Sequence, residues 1–232
     1  MKLLDLFFPP LCVSCQDWLK DSSVFFCETC ERLWPSLQTP CCSLCCRPFS
    51  SPVEESHLCG DCLMEPPPYR KLHAVARYEG ILHDLLVQFK FQGKERLIKP
   101  LGQKLRLYLG QTQIECDLVL PVPLHPSRLR ERGFNQSLLL AQVVASELQV
   151  PLERRLLFKT KATAPQTSLK GDDRRKNLRN VFDVRDKDRI QGKRILMIDD
   201  VFTTGATMKE VAQILKKAGA SQVEGLVLAR VV

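Results

Sequence analysis

Two groups of residues in this 232-residue chain have the types and spacing that chemistry needs. The first is Arg194-Ile-Leu-Met-Ile-Asp199-Asp200-Val-Phe-Thr203-Thr204-Gly205-Ala206-Thr207. Its apolar run predicts a buried strand that delivers Asp199 and Asp200 to the carboxyl end of a sheet, where open α/β folds bind their ligands. Adjacent carboxylates there can accept hydrogen bonds from vicinal hydroxyls such as the 2′ and 3′ groups of a ribose. The small, hydroxylated run from Thr203 to Thr207 then offers Thr hydroxyls, backbone N–H groups and a helix N-terminus to a phosphate dianion. Gly205 lets the backbone turn closely around such a group. Ribose hydroxyls and a phosphate at this separation describe a ribose 5-phosphate. The competing reading is an Asp pair that serves only as turn and N-cap of an ordinary strand-helix unit.

The second group is cysteine. Ten of the 11 cysteines lie between Cys12 and Cys62, and only Cys116 falls later. They form four C-x2-C steps, Cys12/Cys15, Cys27/Cys30, Cys42/Cys45 and Cys59/Cys62. A C-x2-C turn can point two thiolates at one ion, and two such turns complete a tetrahedral sulfur shell. The intervals suit two short zinc ribbons filled in sequence order, although spacing alone does not settle which pairs share an ion. Cys41 and Cys46 add two overlapping C-x3-C frames, against which Cys42 and Cys45 alone keep the two-residue spacing. His57 is a weaker candidate ligand. The N-terminal run Lys2–Pro10 is too short and too interrupted for a secretory signal, so a reducing, cytoplasmic setting is expected and disulfides are disfavoured. A structural metal would hold together a segment with few long apolar runs of its own.

The elements that must position these groups are legible from periodicity. Pro66-Pro67-Pro68 reads as a stiff linker between a cysteine-rich domain, 1–68, and a larger domain, 69–232. In the latter, Leu72–Tyr78 reads as a strand, and Leu82, Leu85, Leu86 and Phe89 follow at helical spacing. A second helix is expected over about Leu101–Leu109. A buried strand begins at Asp117 and runs into a proline-rich loop. Asn135-Gln-Ser137 caps an apolar helix to Leu148. Strand Arg194–Ile198, helix Thr207–Ala218 and strand Val223–Val232 complete an α/β pattern built on a mostly parallel sheet flanked by helices. No window is long and apolar enough for a transmembrane helix.

Charge divides along the same boundary. The chain carries +8 overall, but residues 1–70 carry −4 and residues 71–232 carry +12. A polyanion or phosphorylated ligand therefore belongs to the larger domain. Its basic side chains concentrate in Pro123–Arg132, with Arg128, Arg130 and Arg132, and in Arg154–Arg179, which includes Lys159, Lys170, Arg174, Arg175 and Lys176. Guanidinium forks suit a multiply charged phosphate. His125 is balanced between a site role and plain loop structure, His73 and His83 read as structural, and Cys116 reads as a small core residue.

The Asp199-Asp200 stretch closely resembles the 5-phosphoribosyl-1-pyrophosphate (PRPP) signature of type I phosphoribosyltransferases. Val122-Pro123-Leu-His125-Pro-Ser-Arg128-Leu-Arg130-Glu-Arg132-Gly133-Phe134-Asn135-Gln136 is similar to the signature of the ComF (ComFC/GntX-like) competence proteins, as are the double cysteine ribbon and the Leu-Phe-Phe-Pro-Pro start. The resemblance spans essentially the whole chain and departs from the family pattern at Cys41 and Cys46. It implies a type I phosphoribosyltransferase-like domain after a double zinc ribbon. In that setting Asp199, Asp200 and Thr203–Thr207 would bind PRPP with its Mg²⁺, Arg128 and Arg132 would face the pyrophosphate, and the loop bearing Arg174 and Arg175 would form a lid. It further implies DNA uptake in natural transformation, handling single-stranded DNA on the cytoplasmic side. Other uptake proteins would dock through the ribbon, and any attachment to the inner membrane would run through such partners. An active phosphoribosyltransferase with a nucleobase or amine acceptor is the alternative, although no acceptor site can be read from the residues. A zinc-ribbon transcription factor is disfavoured by the acidic ribbon segment.

Overall fold

The computed structural model describes residues 9–37, 40–49, 55–91, 95–161 and 181–232. Its strands in chain order are β1 (Lys71–Arg77), β2 (Leu118–Pro121), β3 (Leu157–Lys159), β4 (Phe182–Val184), β5 (Arg194–Phe202) and β6 (Gln222–Arg230). Its helices are α1 (Glu28–Arg32), α2 (Gly60–Met64), α3 (Gly80–Phe91), α4 (Ile98–Gly110), α5 (Pro126–Arg132), α6 (Gln136–Leu148) and α7 (Ala206–Lys217). Four strands form a parallel sheet of order β1-β6-β5-β2, while β3 and β4 make a separate antiparallel pair.

The two longest strands, β5 and β6, take the central places, and both their faces are covered by other elements. On one face lie α3 through Leu82, Leu85, Leu86 and Phe89, α4 through Leu101 and Leu105, and α6 through Leu140 and Val144. On the other lie α7 through Val211, Ala212 and Leu215, and the β3–β4 pair through Leu157 and Phe182. The parallel α/β expectation thus holds, with two differences. Strand β5 does not stop at Ile198 but runs on through both aspartates to Phe202. Half of the proline-rich loop is helix α5: His125 caps it by accepting a hydrogen bond from the Ser127 N–H, Pro126 occupies its first turn, and Gly133 closes it at φ 83°. Proline in a first helical turn sacrifices no hydrogen bond, which is why a proline-rich stretch can still be helical there.

The cysteine segment contains a structural repeat at an offset of thirty residues. The Cys12 N–H bonds the Asp17 carbonyl at 2.7 Å, and the Cys42 N–H bonds that of Arg47 at 2.8 Å. Isolated bridges join Leu11 to Trp18 and Cys41 to Pro48. Gln16 and Cys46, each following the second cysteine of its knuckle, share the left-handed conformation with φ of 66° and 54°. Cys46 is therefore the counterpart of Gln16, and its thiol donates to the Leu72 carbonyl at 2.8 Å.

The ribbons lie along the otherwise open edge of β1. The Arg77 N–H bonds the Pro35 carbonyl, the Leu72 N–H bonds the Leu44 carbonyl, both at 2.8 Å, and Ser36 bridges Ala76. Covering a strand edge in this way removes a site for pairing with another chain. The side of the first ribbon is fastened by Lys104 of α4, which is almost fully buried. Its ammonium pairs with Glu31 and lies 4.6 Å from the ring centre of Trp34 and 5.2 Å from that of Phe26. Two aromatic faces and a carboxylate are what a lysine needs to leave water.

Candidate functional site

Two tetrads of sulfur atoms come together, Cys12/Cys15/Cys27/Cys30 and Cys42/Cys45/Cys59/Cys62, each with its four atoms within 4.8 Å of one another. A tetrahedral shell with Zn–S bonds of about 2.3 Å needs sulfurs roughly 3.8 Å apart. The Cys15–Cys27 and Cys45–Cys59 contacts, at 3.6 and 3.8 Å, fit that requirement. The pairs combine in sequence order, first with second and third with fourth. Burial disfavours ionisation of Cys12 and Cys42, but backbone N–H groups of each knuckle outweigh it and hold both thiols at about 7, below the usual thiol range. Cys41 and Cys46 lie outside the tetrads. His57 does too, with its ring stacked on Phe49 at 4.1 Å.

The second assembly sits at the carboxyl end of β5. Asp199 Oδ1 accepts a hydrogen bond from the Ser137 hydroxyl at 2.8 Å, at the start of α6, where Asn135 supplies the cap. Asp200 Oδ2 pairs with the ammonium of Lys90 at 2.6 Å, and its Oδ1 accepts from the Val201 N–H. Burial first, then the neighbouring Asp200 charge, push the Asp199 carboxyl up to about 7, with the Ser137 bond and the Lys90 charge opposing them. Arg132 is half-buried, donates to the Gln136 amide oxygen at 3.0 Å and interacts electrostatically with Asp200. Lys159, at the end of β3, lies in the field of Arg128 and Asp199. Burial, then these like charges, hold Arg132 and Lys159 below their ordinary ranges, Lys159 through Arg128 and Arg132 through the same residue. Three cations, Lys90, Arg132 and Lys159, thus border two carboxylates, and Arg128 lies near Arg132 and Lys159, an arrangement suited to a ligand carrying both hydroxyls and several negative charges.

Beyond the aspartates, the chain turns through Thr203 and Thr204 to Gly205, which stands at φ 76° immediately before α7. A Cβ at position 205 would lie 2.4 Å from the Phe202 ring, so the turn requires glycine twice over, for its conformation and for its space. The Lys209 N–H bonds the Gly205 carbonyl at 2.8 Å, fixing this residue as the helix start. Helix α7 therefore opens on backbone N–H groups that no preceding turn of the helix can satisfy. Thr203 is half-buried and Thr204 exposed at the mouth of the turn.

Residues 135–231 match the phosphoribosyl transferase domain family, and residues 3–63 match the double zinc ribbon domain family. Over 230 residues the chain is 36% identical to the DNA utilization protein YhgH of Escherichia coli K12, covering 96% of this chain and 97% of that protein. It is 30% identical to Competence protein F of Haemophilus influenzae, covering 97% and 98%. The chain belongs to the ComF family. A more distant relative, Competence protein ComFC of Bacillus subtilis, is 28% identical over 88% of this chain and 83% of that protein.

Within this ComF-type chain the sequence-derived candidates divide three ways. Asp199, Asp200, Thr203, Thr204, Gly205, Ala206 and Thr207 form one continuous strand-turn-helix unit, and Arg128 and Arg132 of α5 lie on the same side of the sheet end. Arg174 and Arg175, with Lys170 and Lys176, lie outside the described residues. Arg130 is exposed, and His125 is the α5 cap. Residue reasoning missed Lys90 and the role of Ser137. The apolar spacing of α3 gives no sign that its last polar residue turns into the site, and Ser137 reads as part of a cap signal that consumes it. Cys116 is half-buried beside the core, and burial first, then Asp117, push its thiol up to about 11, which suits packing rather than attack.

Proposed function

We propose that the protein binds PRPP at the β5–α7 unit and serves DNA uptake in natural transformation, handling incoming single-stranded DNA on the cytoplasmic side. The observation that carries the ligand reading is the pairing of two carboxylates on β5 with a glycine-led helix start a few residues later, bordered by the cations Lys90, Arg132 and Lys159. In that reading Asp199 and Asp200 accept the ribose hydroxyls, and the residues from Thr203 to Thr207 hold the 5-phosphate. Arg128 and Arg132 face the pyrophosphate, and Mg²⁺ arrives with the ligand and neutralises part of its charge. The chain's own work is binding and orientation: Ser137 and Lys90 hold the carboxylates in place, and Gly205 brings backbone N–H groups within reach of a phosphate. The two cysteine tetrads bind structural zinc and hold the ribbons against the β1 edge. The uptake role draws support from the competence and DNA-utilization names of the full-length relatives and from the +12 domain, because clustered Lys and Arg neutralise backbone phosphates.

A second reading, an active phosphoribosyltransferase that passes the phosphoribosyl group to a nucleobase or amine, draws on the same cations, which suit a departing pyrophosphate. The Asp199→Ala, Asp200→Ala double variant tests the shared site. Each charged acceptor is worth about 1.5–3 kcal/mol, so calorimetry should find PRPP affinity reduced at least about a hundredfold with zinc content retained. Unchanged affinity would refute the site. Pyrophosphate release from Mg·PRPP across candidate acceptors, run beside transformation of a deletion strain, separates the two readings. Release with one acceptor and normal transformation would favour the enzyme.

A further inference from the structure

We infer that Lys90 is a positioning residue of the carboxylate pair: its ammonium holds Asp200 in place so that both aspartates can accept sugar hydroxyls. Nothing in its sequence context or in the strand-turn-helix unit marks it. It comes from a different element, more than a hundred residues away in the chain, the helix α3 that follows β1 at the carboxyl end of the sheet. The pair is close, 2.6 Å, and shielded, with Lys90 about one-fifth and Asp200 about one-tenth exposed. An ion pair in such surroundings is screened little by salt.

The need for it follows from the strand. Two consecutive carboxylates on β5 repel each other in a poorly solvated place, and one of them would otherwise keep its proton. A protonated carboxyl donates where the ligand requires an acceptor, so ionisation of both groups is a condition of binding. The groups that face the pair are Lys90 from α3, Arg132 from α5, the Ser137 hydroxyl from α6 and Lys159 from β3. Of these, Lys90 pairs with Asp200 at 2.6 Å, while Arg132 is also engaged by Gln136. With Lys90 in place, PRPP affinity should rise as pH climbs through about 7, where Asp199 loses its proton. Removing a cation beside a carboxylate raises its pKa, so without Lys90 the whole profile should move to higher pH.

The inference rests on the phosphoribosyl reading of the site, and the experiment separates the two. PRPP affinity is measured by calorimetry from pH 6 to 9 for the native protein, Lys90→Met and Lys90→Arg, with zinc content and thermal midpoint as checks on folding. In parallel, ¹³C-labelled aspartate resonances are titrated without ligand. Expected for Lys90→Met is a loss of about tenfold at pH 7, most of it recovered at the alkaline end, with carboxyl titration displaced upward by about one pH unit. Lys90→Arg should restore much of both. A loss equal at every pH, or carboxyl titration unmoved in a folded Lys90→Met protein, would overturn the role. If no variant, native included, binds PRPP and yet the carboxyl titration moves, the phosphoribosyl reading fails while the role of Lys90 as counter-ion stands.

Discussion

At residue scale, the candidate site depends on what a few side chains are prevented from doing. Asp199 is held by a hydroxyl and Asp200 by an ammonium, so neither is free to fold back onto the Thr203–Thr207 turn. Gly205 is the clearest single point of failure. Alanine there would combine a left-handed backbone with a Cβ pressed into the Phe202 ring, which itself lies under the Arg230 guanidinium at 4.8 Å. Gly205→Ala should cost about 1–3 kcal/mol in a urea melt and weaken PRPP binding more than any Thr204 substitution, since Thr204 is exposed. A melt indistinguishable from the native one would show that the turn tolerates a side chain. The role of Gly205 was legible beforehand because glycine between a strand and a helix has few other uses. Lys90 was not, because a lysine at the end of an amphipathic helix looks the same whether it meets water or a carboxylate.

At the scale of elements, the two ribbons share a backbone plan but not an environment. Cys15 is exposed and Cys27 half-buried in the first tetrad, whereas all four cysteines of the second are buried. Zinc held by the first should therefore be the more accessible to competing ligands. Metal analysis is expected to find two ions per chain, one for each tetrad, and a chelator followed by a chromogenic zinc reporter should remove them in two phases. Cys15→Ser should abolish the fast phase and leave the slow one, while a single phase would place the tetrads in equivalent surroundings. The four C-x2-C steps predicted the ligands from spacing alone. The local pattern could not show that Cys46 takes the place of Gln16, because that equivalence appears only when the knuckles are compared as backbone conformations.

At the scale of the molecule, acidic ribbons edge a basic α/β domain, and the carboxylate pair constrains what kind of nucleic-acid component can enter the candidate site. In the proposed reading the two carboxylates accept the vicinal hydroxyls of a ribose, and deoxyribose in DNA lacks one of that pair. Single-stranded DNA should therefore bind the basic surface and not the Asp199–Asp200 site. Its affinity is expected to fall steeply with salt, to weaken when Arg174, Arg175 and Lys176 are neutralised together, and to survive the Asp199→Ala, Asp200→Ala change. Fluorescence anisotropy with a labelled oligonucleotide, with and without saturating PRPP, measures all three. Full competition by PRPP would place DNA in the same pocket and refute the separation.

The sequence by itself determined the parallel α/β class, the four C-x2-C pairs as spaced ligands, and the Asp199–Thr207 stretch as a strand-turn-helix unit, while the tertiary structure joined the cysteine pairs into two tetrads. Each of the first three is encoded in nearby residues whose periodicity or spacing can be read without the fold. Only the tertiary structure decided that β1 is capped by the ribbons, that Pro126–Arg132 is a helix turned toward the carboxylates, and that Ser137 and Lys90 complete their surroundings. Those contacts join residues 62 and 110 positions apart, and their energy lies in burial and in the pairing of charges that local pattern leaves equally well satisfied by water.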